Sequence, residues 1–456
     1  MKALSINDIA VAVKGRLNNY SIGQKLIHGV SFDTREDMGK KLFIPLKGSH
    51  FDGHSFIADA LELGAICVLS EKDTEFNAII VEDTRAALME LAAYYRQLFD
   101  IKVVAITGSN GKTSTKDMMA SVLSQKYNVV KTIGNFNNDI GLPTTIFNID
   151  DSTEVLVLEM GMNHRHEIHH LSRVAKPDFA VITNIGFAHI ENLGSQEEIF
   201  KAKSEILDFL AKDGKFFVCG DDDFLLRFRE NPAAVFFGTS PNNAFRAVDI
   251  QLNYIDSGSY NLIKKDGKSY SIYVPSGGLH MIKNSLAACA VGEYMGLNNT
   301  EIARGIQNFK PSGSRMAIIE TDYGMKIIDD CYNSSPDSVS AALDTLVLSK
   351  GSTMAILGDM LELGNKSHNL HFEIGKEAAR HCIDTIICIG EHSQTTYEGA
   401  YEQIRKDASN SQIYYFSNKR ECIDRLASML KPGDTILVKA SRGMKFEDIV
   451  NYLKEL

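Results

Sequence analysis

Short apolar runs at residues 103–107, 155–159, 179–184 and 216–219 are separated by stretches with helical spacing, the clearest at 114–126. That alternation predicts a mostly parallel sheet flanked by helices. Residues 246–275 break the rhythm: polar and apolar positions alternate strictly around Asp266-Gly267, which predicts an antiparallel edge or insertion closed by a tight turn. Helical spacing returns at 281–295 and 300–308, and Pro311-Ser312-Gly313-Ser314 reads as a linker. Beyond it the alternation starts afresh, with strands predicted at 327–329, 353–357, 385–389, 413–416 and 435–439, so a second, independent α/β unit follows. The first hundred residues read as a small mixed domain, with apolar runs at 42–46 and 65–69 and a helix over 84–99.

A chain of 456 residues is long enough for about three domains. Lys plus Arg total 48 against 58 Asp plus Glu, a net charge of −10, which disfavours a general nucleic-acid binder and leaves room for a local phosphate pocket. No apolar run approaches the roughly 18 residues of a membrane helix, and the first residues lack a signal-peptide core, so a cytoplasmic protein is expected. The seven cysteines are scattered, with no Cys-x-x-Cys pair, and are expected to be core residues.

The chemistry starts at Thr107-Gly108-Ser109-Asn110-Gly111-Lys112-Thr113, between a predicted strand and the helix that begins at Ser114. Glycines let the backbone wrap around phosphates, the helix N-terminus favours anions, Lys112 can reach terminal phosphates and the Thr113 hydroxyl can ligate Mg²⁺. Ile106 stands where the longer phosphate-loop pattern has its first glycine. The reading is ATP or GTP binding. Glu159 ends a strand and His189 follows another, and strand ends line the ligand crevice of open α/β sheets. Together they could hold a metal; separately, Glu159 could cap a helix and His189 could be structural. His166 and His170, four apart, have metal-like spacing, but no third ligand is placed, so a solvated helix start is favoured.

The phosphate loop, Glu159, His189 and Lys203 together resemble the ATP-dependent Mur ligases of peptidoglycan synthesis. The run Asn135-Phe136-Asn137-Asn138-Asp139-Ile140-Gly141-Leu142-Pro143 is similar to the family's asparagine-rich segment. Asp329-Asp330-Cys331-Tyr332-Asn333-Ser334-Ser335-Pro336, Gly358-Asp359-Met360-Leu361-Glu362-Leu363-Gly364 with His371, and Lys439-Ala440-Ser441-Arg442 are similar to the branch that adds a dipeptide. Ser31-Phe32-Asp33-Thr34-Arg35 and Phe51-Asp52-Gly53-His54 resemble UDP-sugar-binding segments.

The resemblance implies a mixed α/β UDP-binding domain (1–98), a phosphate-loop ATPase domain with a mostly parallel sheet (99–312) and a Rossmann-like C-terminal domain (313–456). It implies ligation of D-alanyl-D-alanine to UDP-N-acetylmuramoyl-tripeptide, with ATP and one or two Mg²⁺ ions; the oligomeric state is open, with a monomer as the default expectation. Lys112, Lys203, Glu159 and His189 would be catalytic, and Thr113, Glu159, His189 and Lys203 would hold metal. Lys203, rather than Lys201, matches the lysine that the family carbamylates. Gly108, Ser109, Asn110, Gly111, Lys112, Thr113, Ser114, Asn284, Arg315, Asp330 and Tyr332 would bind ATP, with Asn284 reading the adenine. Ser31, Asp33, Thr34, Arg35, Asp52, Gly53, His54, Asn135, Asn137 and Asn138 would bind the UDP-sugar, and Asn333, Ser441 and Arg442 the dipeptide. The linker at 311–314 would be the hinge on which the last domain closes. Two departures stand out: Ser335 where asparagine is usual, which puts a substrate or nucleotide hydrogen bond in doubt because serine is shorter, and Ala440 where glycine is usual, expected to loosen a backbone approach. The alternatives are a sibling ligase adding the third amino acid, a folylpolyglutamate-synthase-like ligase, a phosphate-loop kinase and a nucleotide-regulated binding protein.

Overall fold

The computed structural model describes residues 1–48, 51–265 and 267–456. Three large sheets organise them, beside a small antiparallel pairing of Leu4–Ser5 with Leu26–Ile27. The first large sheet has five strands, in the order Arg16–Leu17, Ala78–Ile80, Cys67–Ser70, Lys41–Phe43 and Gly29–Ser31, parallel apart from the first pairing. Its helix Thr84–Gln97 packs on the central unit through buried Tyr95, whose hydroxyl donates to the Ile149 carbonyl at 2.7 Å and which meets Phe99 and Phe147 edge-on.

The central sheet has nine strands, with Lys102–Thr107 inside it. Val155–Glu159 and then Val129–Lys131 lie on one side; Phe179–Ile182, Lys215–Cys219 and Ala234–Gly238 lie on the other. Each alternating strand is buried, as a sheet covered on both faces requires. The order therefore switches at Lys102–Thr107, where a crevice opens beyond the strand ends. Register places Glu159 opposite Ile106 and Ile182 opposite Thr107, so the Glu159, phosphate-loop and Thr183 segments emerge along one edge.

The strand predicted over 179–184 stops at Ile182 because the next two side chains turn to the phosphate loop: Thr183 Oγ1 and Asn184 Nδ2 both donate to the Asn110 carbonyl, at 2.6 and 3.1 Å. The predicted antiparallel edge is present as Gly258–Lys264 paired with Ser269–Val274, but Phe245–Gln251 first joins Ala234–Gly238 in parallel. Asp266 of the predicted turn lies outside the described residues; Gly267 has φ +73° and donates its N–H to the Lys264 carbonyl.

Past residues 311–314, six strands run in the order Ala317–Glu320, Lys326–Asp329, Thr435–Lys439, Thr353–Gly358, Thr385–Ile389 and Gln412–Phe416, parallel except for the first pair. The predicted strands are all there; the half-exposed edge strand Ala317–Glu320 was silent in the apolar pattern. All seven cysteines are free, and all but Cys382 are buried, as expected of core residues.

Candidate active site

The phosphate loop leaves its strand through Gly108 (φ +150°) and enters the helix Lys112–Leu123 through Gly111 (φ +77°). A Cβ on Gly108 would lie 1.8 Å from Thr183 Oγ1, and one on Gly111 would lie 2.7 Å from the Asn284 amide oxygen, so neither position has room for a side chain. The Lys112 ammonium folds back over the loop, donating to the Gly108 and Ser109 carbonyls at 2.8 and 3.1 Å. Burial pushes its pKa below that of an ordinary lysine.

Glu159 is held from three sides. Thr113 Oγ1 donates to one carboxylate oxygen at 2.7 Å, Asn137 Nδ2 to the other at 2.9 Å, and the Thr132 hydroxyl accepts from its N–H at 3.0 Å. Behind it lies a charged group that the motifs did not disclose. Buried Lys116 sits 4.0 Å from Glu159 and 3.3 Å from Asp117, which also accepts from Lys131 at 2.6 Å and from Ser312 in the predicted hinge. One signal for it was available: Lys116 and Asp117 fall on the helix face that otherwise carries Met119, Ala120 and Leu123 into the core.

The two candidate lysines are distinguished by burial. Lys201 is 47% exposed and paired with Glu198 at 2.7 Å, whereas Lys203 is 1% exposed and donates to the Gly108 carbonyl at 2.8 Å. Burial, then the nearby Lys112 ammonium, holds the Lys203 pKa well below the usual lysine value. A neutral amine is therefore accessible there, and a neutral amine is the form that combines with carbon dioxide.

The C-terminal unit supplies the opposite wall. The Arg315 guanidinium stacks 3.9 Å from the Tyr332 ring centre, with Arg442 5.7 Å away. Asp330 pairs with Lys439, which also donates to the Asn333 carbonyl at 3.1 Å. Ser441 Oγ accepts from Leu361 N–H at 2.8 Å, so it holds the 358–364 loop in place. His371 lies beneath that loop, where its Nε2 accepts from Met360 N–H at 3.0 Å and its Nδ1 donates to the Ser367 carbonyl at 2.8 Å. The two departures acquire structural roles. Ser335 Oγ donates to the Asn110 amide oxygen at 2.9 Å, joining the C-terminal unit to the phosphate loop. The Ala440 methyl is buried against Gly358, where an added Cβ would lie 2.7 Å from it, so the expected loosening is instead a filled contact.

One cavity of about 540 Å³ gathers these walls. Ser109, Asn110, Gly111, Lys112, Thr113, Ser114, Glu159, His189 and Asn284 line one side; Arg315, Asp330, Tyr332, Asn333, Ser441 and Arg442 line the other. Asn135, Asn137 and Asn138, grouped by the resemblance with the UDP-sugar residues, also line it. The first-domain set does not. Ser31 bonds Glu36 at 2.8 Å, Arg35 holds the Asp33 carboxyl down to about 2, and Asp52 caps the turn Gly53–Phe56 while accepting from His54. His166 is 70% exposed, in keeping with the solvated reading of residues 163–170. No group of three or more His, Cys, Asp or Glu among the described residues is arranged to hold a metal.

Glu159, His189 and the Thr113 hydroxyl therefore form a sparse set of mainly hard donors. That suits Mg²⁺, which keeps several waters and takes phosphate oxygens rather than an all-protein cage.

Three family models match: the Mur ligase family catalytic domain at residues 26–97, the Mur ligase middle domain at 106–292 and the Mur ligase glutamate ligase domain at 314–442. The UDP-N-acetylmuramoyl-tripeptide–D-alanyl-D-alanine ligase of Bacillus subtilis is 41% identical, the match covering 99% of this chain and 98% of that one. The Escherichia coli protein of the same name is 32% identical, covering 100% and 99%. Among solved structures, MurF from Acinetobacter baumannii superposes with a TM-score of 0.93 at 30% identity over the whole of both chains. MurF from Thermotoga maritima in complex with ADP gives 0.82 at 29%, covering 93% and 97%.

Proposed function

The chain belongs to the Mur ligase family, and from that membership we propose that it joins D-alanyl-D-alanine to UDP-N-acetylmuramoyl-tripeptide with cleavage of ATP to ADP and phosphate. The observation that carries the reading is the single cavity in which the phosphate loop, Glu159 and His189 face Arg315, Tyr332 and Asn333.

A carboxylate is a poor electrophile. Transfer of the ATP γ-phosphoryl group to the tripeptide carboxylate gives an acyl phosphate, with ADP departing. The dipeptide amine then attacks the acyl carbon, loses a proton, and phosphate leaves from the tetrahedral intermediate. Neither step needs a protein nucleophile; the burden is alignment and charge neutralisation.

Lys112 would swing from the Gly108 and Ser109 carbonyls onto the β- and γ-phosphates, and the loop N–H groups with Ser114 would cradle them. The Asn284 amide, donor and acceptor at once, suits the adenine edge. Arg315 would neutralise phosphate charge from the other wall, with Asp330 and Tyr332 near the nucleoside. Asn333, Ser441 and Arg442 would orient the dipeptide, and the segments around Ser31–Arg35 and Asp52–His54 would take the UDP. Thr113, Glu159, His189 and a carbamylated Lys203 would hold Mg²⁺ directly or through water. The bound cation would supply neutralisation of the transferring phosphoryl oxygens. Closing of the C-terminal unit would exclude water from the acyl phosphate.

No helix among the described residues is long and apolar enough to cross a membrane. We place the reaction in the cytoplasm, where both nucleotide substrates are available. The test is phosphate release with UDP-N-acetylmuramoyl-tripeptide and D-alanyl-D-alanine. Release that needs both substrates is expected, whereas release indifferent to the dipeptide would sink the reading.

A further inference from the structure

Two residues with left-handed backbones meet where the central and C-terminal units touch: His189 at φ +64° and Glu362 at φ +63°. Side chains larger than glycine rarely adopt this conformation. The Glu362 carboxylate accepts from His189 Nδ1 at 2.7 Å, and its carbonyl accepts from Glu191 N–H at 3.1 Å. Gly364 (φ +53°) then lies flush on Glu191, where an added Cβ would come within 3.3 Å of its backbone. The Asp337 carboxylate accepts from Phe187 N–H at 3.1 Å on the same segment. The segment carrying His189 is thus gripped by the C-terminal unit at several points.

This grip has a chemical consequence. His189 lines the same cavity as Thr113 and Glu159. With its Nδ1–H donated to Glu362, a neutral ring carries its lone pair on Nε2. Ligating histidines commonly donate their second nitrogen to a carboxylate, which fixes tautomer and ring angle. Here the carboxylate belongs to a different structural unit from the histidine.

We propose that Glu362 is a positioning residue for the Mg²⁺ site: docking of the C-terminal unit brings its carboxylate onto His189 Nδ1 and presents Nε2 to the metal, so that the metal site is completed only in the closed arrangement. The inference rests on the ligase reading and adds to it a carboxylate that couples domain closure to metal binding. It also accounts for two unfavourable backbone conformations meeting at one contact.

The experiment uses Mn²⁺ as the probe on the full chain, with a non-hydrolysable ATP analogue bound. Electron spin-echo modulation reads the imidazole nitrogen on Mn²⁺ directly, and a titration gives its affinity. The wild type is expected to show nitrogen modulation that His189→Ala abolishes. Glu362→Gln should diminish the modulation and weaken Mn²⁺ about 10-fold or more, while small-angle scattering shows less closure. In the His189→Ala background, Glu362→Gln should add less than about twofold, since its route to the metal is gone. Unchanged modulation and affinity in Glu362→Gln would overturn the proposal, even if closure were impaired. So would an undiminished loss in the His189→Ala background, or a wild-type signal without nitrogen coupling. Dipeptide-dependent phosphate release is measured separately on the wild type: its absence alongside intact nitrogen coupling would count against the ligase reading and not against Glu362.

Discussion

Lys112 and Lys203 donate to the same oxygen, the carbonyl of Gly108, each at 2.8 Å. Two ammonium groups sharing one acceptor repel each other, and the repulsion adds to burial in depressing the Lys203 pKa. Carbamylation would turn that clash into an attraction, since it replaces a cation by an anion next to Lys112. On the proposed reading, a neutral Lys203 amine would combine with carbon dioxide, and Lys112 would leave the shared carbonyl for a phosphate.

Lys203 is therefore expected to carry a carbamate. Enzyme equilibrated with ¹³C-bicarbonate should show a carbamate carbon resonance that Lys203→Arg lacks and Lys201→Arg retains. Activity should fall when carbon dioxide is stripped and return on adding bicarbonate. A labelled resonance persisting in Lys203→Arg would reject the assignment.

Replacing Lys112 removes the cation that would follow the γ-phosphate through transfer. Lys112→Ala is expected to lower kcat by about 10³-fold or more, as loss of a charge-stabilising group commonly does. Among the described residues the Lys112 ammonium hydrogen-bonds only to loop carbonyls, so the thermal midpoint should change little. Substantial residual turnover would remove Lys112 from the mechanism.

Ser335 tests whether the contact between units matters to nucleotide binding. Ser335→Ala deletes the hydrogen bond to Asn110 and should cost about 1 kcal/mol of closed-state stability. At RT of about 0.59 kcal/mol that is about a fivefold rise in KM for ATP, with the KM for UDP-tripeptide unchanged. Steady-state kinetics with each substrate varied in turn would show it, and equal shifts in both constants would argue for a general loss of structure.

The stacked pair Arg315–Tyr332 gives a graded series. Tyr332→Phe keeps the ring face under the guanidinium and should bind ATP nearly as well as the wild type. Tyr332→Ala should weaken it several-fold, since a cation over an aromatic face contributes about 0.5–2 kcal/mol. Binding calorimetry distinguishes the two, and equal losses would show that the hydroxyl, not the ring, does the work.

His280 predicts a pH dependence of stability. Burial, with Lys439 nearby, pushes its pKa from 6.5 down to about 4. Because the folded value is the lower one, the unfolded chain binds the extra proton between those limits. The contribution is thus complete above pH 6.5 and lost as pH falls towards 4. Thermal midpoints should drop less steeply over that interval in His280→Gln than in the wild type; parallel profiles would exclude His280 as the source.

Much of the architecture was legible because buried parallel strands leave an unmistakable imprint. Strands covered on both faces become continuous apolar runs, and 155–159, 385–389 and 435–439 end where the pattern ends. The weak places share a cause. Ala317–Glu320 and Val129–Lys131 lie at sheet edges and are only half-buried, so burial imposes little pattern on them. Lys116 is the reverse case: a charged residue inside the core, satisfied by Asp117 and Glu159, whose pairing depends on a strand distant in sequence.

By itself the sequence determined the α/β class, the phosphate loop and the family, because each depends on local spacing: glycines before a lysine, apolar runs ending at chemistry-bearing residues. Only the tertiary structure decided which of two lysines is buried beside the loop, that Ser335 reaches Asn110 and that Glu362 reaches His189. Those facts depend on where separate strands end relative to one another and on how two units dock. Burial and distance set the pKa of Lys203 and the hydrogen bonding of His189, and neither quantity is carried by any one stretch of chain.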